Sequence, residues 1–187
     1  KVENISGKFI DSRKNSFPGE VVSDFIQENE NYFPKLEDFA TNVFHKIQSN
    51  NRAGYSSICE YLTNKHGIEV NDVVPDEGKP FTKQFYPDKR KFILSDYLSL
   101  ETKKLFAAAQ VAQLEAIDII DEYLKSFSFP TEESKKLSKV ALLNYTGAAI
   151  IMPYTLFYKE CIKQRYDVEL LQNTFATSFE QVAHRIT

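Results

Sequence analysis

The sequence predicts an α+β fold: a small, mainly antiparallel sheet flanked by helices, followed by a C-terminal half that is helical throughout. Three observations carry this reading. Apolar residues recur at spacings of three and four from Pro18 to His66. Between Ile68 and Tyr97 the period shortens and prolines intervene, and from Leu98 onward the helical spacing returns. With 187 residues, 42% of them hydrophobic and 13% aromatic, the chain can bury one continuous core.

Residues 1–17 are polar and aperiodic and are expected to form a linker or loosely docked arm, leaving 18–187 as the folded domain. Val21, Val22, Phe25 and Ile26 define a first helix. Leu36, Phe39, Val43, Phe44 and Ile47 define a second behind Pro34, whose fixed φ and missing N–H suit a first helical position. "YSSICEYLTNKHG" predicts a third, stopped at Gly67, a residue free to adopt the left-handed terminal conformation. "IEVNDVV" (68–74) suggests a strand, and "KPFTKQFY" and "KFILSDY" flank a Pro87-Asp88-Lys89-Arg90 turn.

Beyond Leu98, Phe106, Gln110, Gln113, Ile117, Ile120 and Leu124 step by four and three along one stripe, which places both glutamines inward, with Glu115, Asp118, Glu122 and Lys125 on the wet side. Thr131 with Glu132 and Glu133 opens the next helix, where carboxylates suit the macrodipole, and Pro153 must end it. Three shorter helices complete the chain. Thr177 and Glu180 have capping-box spacing for the last of them.

A net charge of −3 disfavours a broad nucleic-acid footprint, which needs clustered Lys and Arg. Cys59 and Cys161 match no metal spacing and read as free thiols in a reducing cytoplasm. Neither a signal peptide nor a run of about 18 apolar residues is present, so a cytoplasmic protein with no membrane partner is expected. His45, His66 and His184 lie in separate elements, and no nucleophile elbow or phosphate-binding glycine loop accompanies them. The chain opens without Met and stops at "HRIT", so further domains are expected beyond its ends.

"LFAAAQVAQLE" (105–115) is similar to a zincin helix without its ligands: the H-E-x-x-H positions fall on Ala109, Gln110, Val111, Ala112 and Gln113. "LLNYTGAAIIMP" (142–153) resembles a downstream segment of the ImmA/IrrE family, in which a nearby Glu is the third metal ligand. Here no Asp or Glu occurs between Glu133 and Glu160. Within that family the chain is especially similar to one branch, bacterial regulators of short-chain fatty-acid and propionate catabolism (PrpR-like). Stretches 21–40, 85–98, 143–157 and 165–187 share in the resemblance. It implies a degenerate zincin-like domain that senses acyl-CoA or CoA, carries no metal and is not an enzyme. It also implies a homodimer that meets DNA only through a separate N-terminal helix-turn-helix domain, and a cysteine-containing C-terminal region.

Candidate ligand contacts follow from chemistry. Gln110, Gln113, Asn144 and Tyr145 would supply oriented polar groups along the vacated metal cleft. Tyr32, Phe33, Tyr86 and Tyr166 could stack on a base or cover an acyl chain. Lys83, Arg90 and above all Arg165 are cations for CoA phosphates, with Lys89 and Lys91 beside them. Each also has an ordinary reading as a packed core residue or a solvated charge. "LLQNTFATSFEQVAHRI" has helix-turn-helix cadence, but His184 and Arg185 are too little for a DNA reader. A metallopeptidase with unusual ligands and an interaction module without small ligand remain the competing readings.

Overall fold

The structure is a computed structural model that describes residues 17–187; apart from Phe17, the arm expected over 1–17 lies outside the described residues. Helix α1 (Pro18–Glu28) begins at its proline, and the Glu20 carboxylate accepts from the Phe17 N–H at 3.1 Å. Glu30 and Asn31, both near φ 56°, turn the chain into α2 (Pro34–Ile47). Helix α3 (Tyr55–His66) ends at Gly67, φ 65°, whose N–H and that of Ile68 reach back to Thr63 and Leu62. These bonds satisfy carbonyls that a helix end leaves free.

Three strands follow: β1 (Glu69–Val73), β2 (Lys83–Tyr86) and β3 (Lys91–Ser95). β2 and β3 form the expected hairpin around 87–90, with Phe85 opposite Phe92. The chain crosses over between β1 and β2, so β3 takes the middle and pairs with β1 in parallel, Val70 opposite Phe92. The sheet is therefore mixed rather than mainly antiparallel.

The rest is helical: α4 (Leu100–Glu115), α5 (Ile117–Ser126), α6 (Glu132–Ile151), α7 (Tyr154–Lys163), α8 (Val168–Phe175) and α9 (Phe179–Ile186). Ser99 and Thr131 cap α4 and α6 by accepting from Thr102 N–H and Ser134 N–H, and Asp167 caps α8 through Leu170 N–H. The capping box of α9 is Ser178 with Gln181, one residue beyond the expected Thr177 and Glu180. Thr177 is buried, its hydroxyl facing the Met152 sulfur at 3.9 Å.

Helix α6 is central and packs on α1, α2, α4 and α5. The expected single core divides into two clusters. One joins α2, α3 and the sheet to the middle of α4 and the end of α6; the other gathers Phe25, Phe33, Leu36, Ala116, Ile120, Leu124 and Leu142, and Phe39 packs on both. Between residues 107 and 112 every side of α4 is buried. Gln113 faces solvent, against expectation, because it lies in the last turn of α4, past the stretch that is buried on every side.

Candidate functional site

The zincin-like stretch is sealed. An ideal Cβ on Gly147 of α6 would lie 2.8 Å from the Ala109 nitrogen and 3.2 Å from the Leu105 oxygen, so the two helix backbones touch where a metal cleft would open. Ala109 carries no donor, Gln113 points to water, and the only carboxylate of the stretch, Glu115, is engaged by Lys65 at 2.6 Å and His66 at 2.7 Å. The described residues contain no group of three His, Cys, Asp or Glu placed to hold an ion. This donor set does not fit zinc. Gln110 is 4% exposed, and its Nε2 finds no acceptor among the described residues.

Beside this contact, side chains of the same two helices line a cavity of about 700 Å³. Its walls are Thr102 and Leu105 of α4 and Ala141, Asn144, Tyr145 and Ala148 of α6; Ile26, Glu30, Asn31 and Tyr32 close one side, Tyr154 another. Helix α9 forms the cover, with Gln181, His184 and Arg185 on the wall and Ser178 and Glu180 at its start. The volume lies within the usual range for small-molecule sites.

The cover is tied down by a buried ion pair. Arg185 Nη1 and Nη2 donate to the two Glu37 oxygens at 2.7 Å each, and Nε donates to the Met152 carbonyl at 3.1 Å. The side chains are only 6% and 4% exposed. Burial draws the guanidinium pKa down, but the Glu37 hydrogen bonds and charge outweigh it and hold Arg185 above its ordinary value. The Tyr145 hydroxyl donates to Glu37 and accepts from the Phe33 N–H at 3.3 Å. Burial, then the Glu37 charge, raises the Tyr145 phenol, which stays a neutral donor. The Arg185 guanidinium lies 5.6 Å from the Tyr145 ring centre and 5.8 Å from that of Tyr154, which meets Tyr32 edge-on at 5.1 Å.

Of the residues proposed from sequence, Tyr32, Asn144 and Tyr145 meet on the cavity wall. Asn144 Oδ1 is buried and accepts no hydrogen bond from the described residues. Phe33 is wholly buried in the second cluster between Phe25, Tyr123 and Tyr145. Lys83 sits on β2 with its ammonium 4.4 Å from the Phe106 ring centre, and Tyr86 ends the same strand, its hydroxyl on Gln84. Arg90, at φ 50°, lays its guanidinium beside Gly67. Arg165 and Tyr166 form the left-handed turn between α7 and α8. None of these six, nor Gln110 and Gln113, lines the cavity. Sequence reasoning missed Glu37, Tyr154, Gln181 and Arg185. Glu37 and Arg185 stand 148 positions apart, and their one local signal was an acid on the otherwise apolar face of α2.

A family model for the IrrE N-terminal-like domain matches residues 63–187. Among curated proteins the chain is similar to the HTH-type transcriptional regulator RamB of Mycobacterium tuberculosis, 29% identical over 172 residues that cover 92% of this chain and 36% of that protein. It is 28% identical to the HTH-type transcriptional regulator PrpR of the same species (91% and 35% covered). It is also 28% identical to the propionyl-CoA carboxylase regulator of Cereibacter sphaeroides, with the same coverage. It thus spans about a third of the length of these relatives. A solved Mycobacterium tuberculosis transcriptional regulator superposes with a TM-score of 0.83 at 26% identity, over 91% of this chain and 52% of that one. No single described helix is long and apolar enough to cross a membrane.

Proposed function

The chain belongs to the IrrE N-terminal-like domain family, and on that premise we propose that residues 18–187 are the metabolite-sensing domain of a bacterial transcriptional regulator, with no catalytic role, whose ligand is an acyl-CoA or CoA species. The observation that carries the proposal is the cavity of about 700 Å³ closed by α9 and latched by Arg185 on Glu37. A ligand inside touches α1, α4, α6 and α9 at once, so occupancy biases the placement of the last helix. Such a bias requires unequal affinity for two arrangements, which a cover held by one ion pair can provide. The acyl and pantetheine portion fits the mixed wall; the phosphates meet no unpaired cation there and lie at or beyond the mouth.

The relatives support the regulatory half of this reading, since two are HTH-type regulators and a third is a propionyl-CoA carboxylase regulator. By the same analogy the whole protein is a cytoplasmic homodimer that reaches DNA through a helix-turn-helix domain outside this chain. Differential scanning fluorimetry with CoA, acetyl-CoA and propionyl-CoA tests the ligand. At about a hundred times Kd, binding raises Tm by roughly 5–10 °C. An unmoved Tm across the panel at millimolar concentration overturns the sensing reading and favours an interaction module.

A further inference from the structure

The charges of the cavity restrict what can enter it. Its wall bears two carboxylates, Glu30 and Glu180, and one guanidinium, Arg185. That guanidinium is neutralised by Glu37, which takes two of its five N–H donors, and a third, from Nε, goes to the Met152 carbonyl. With a carboxylate at contact distance it projects little positive field into the space it borders. A second carboxylate cannot readily displace Glu37, because the displaced acid would stay buried with the Tyr145 hydroxyl in place of a cation. Among the described residues the wall carries no lysine and no other arginine, and His184 lies 3.8 Å from Glu180. What remains for a ligand is neutral: the Asn144 amide, the Thr102 hydroxyl and the aromatic faces, the Gln181 amide being spent on the Ser178 N–H and the Glu101 carbonyl.

We infer that Glu37 sets the ligand class of this site: by neutralising Arg185 it makes the cavity accept the uncharged, hydrogen-bonding form of a short acyl group and reject the free carboxylate. The inference rests on the cavity being the ligand site proposed above. A carboxylate entering it loses its hydration, gains no cation and meets two charges of its own sign. A thioester or amide has no charge to desolvate. A domain so built responds to the product of an acid-activating reaction and ignores the acid that feeds it.

Isothermal titration calorimetry of the chain with sodium propionate, propionamide and the neutral thioester S-propionyl-N-acetylcysteamine tests this without any variant. The thioester is expected to bind at least tenfold more tightly than propionate; a smaller ratio, or the reverse order, overturns the inference while leaving the site intact. If none of the three probes nor any acyl-CoA binds, the site itself falls and this inference with it. Glu37→Gln, checked for folding by circular dichroism, frees one face of Arg185 and should improve propionate binding at least tenfold while thioester binding changes less than threefold. No gain for propionate in the folded variant removes Glu37 from the role.

Discussion

Helices α4 and α6 meet twice, and the two meetings have opposite character. At Ala109 and Gly147 the backbones are in contact, and nothing larger than a hydrogen fits on Gly147. On an adjoining face, Thr102 and Leu105 of α4 and Asn144 and Ala148 of α6 line the cavity. The closed half holds the positions that resemble a catalytic motif. The open half holds the polar groups that a ligand can reach. Similarity to a hydrolase therefore points to the closed part of these helices: at Ala109, one of the two positions that resemble the motif's histidines, the backbones touch, and the open space lies beside them.

The sharpest way to break the comparison is at the closed half. Gly147→Val puts a side chain where the Ala109 nitrogen already stands, forces the helices apart and is expected to cost about 3 kcal/mol in urea unfolding. A variant as stable as the parent shows that the contact is not tight.

At the open half, the α4 residue beside Leu105 provides a smaller handle. Lys104 is 3% exposed, donates to the Phe175 and Ala176 carbonyls that end α8, and is drawn by burial to about 8. The unfolded lysine titrates near 10.4, so between about pH 8 and 10 the unfolded chain binds more protons and folding gains stability as pH rises. Relative to Lys104→Met, wild type should gain on the order of 1–2 kcal/mol over that window, read by urea titration at each pH. A difference that stays flat shows that the ammonium is not held near that value. The smallest effect belongs to the residue that the sequence favoured for phosphate. Arg165→Ala, in the exposed turn away from the cavity wall, should change stability by less than about 0.5 kcal/mol and leave the propionyl-CoA thermal shift unchanged.

The elements were legible wherever a local cause acts alone. Pro34 starts α2, Gly67 stops α3, Pro153 follows the end of α6, and Asp167 caps α8, as their chemistry dictates. What failed crosses a boundary. Gln113 was placed inward by a period carried into the last turn of α4, past the stretch that is buried all round. The parallel pairing of β1 depends on which strand takes the centre, and no single strand encodes that. Of the residues proposed for ligand contact, Tyr32, chosen as an aromatic that could stack, and Asn144 and Tyr145, chosen as polar groups along the resembled cleft, lie on the cavity wall. Arg185 was weighed only as a DNA contact because its partner lies in α2.

The break before Pro153 reaches further than the end of one helix. Proline interrupts the hydrogen-bond ladder, so the Met152 carbonyl turns to Arg185 instead of a backbone N–H four residues on. The roof of the chamber is thus pinned to its side wall at the hinge between α6 and α7. Under the proposed function, a ligand that displaced α9 would pull on that junction, and through it on α7, where Tyr158 and Ile162 lie half open to solvent. An imino acid chosen to stop a helix also decides where movement inside the chamber can be felt outside it.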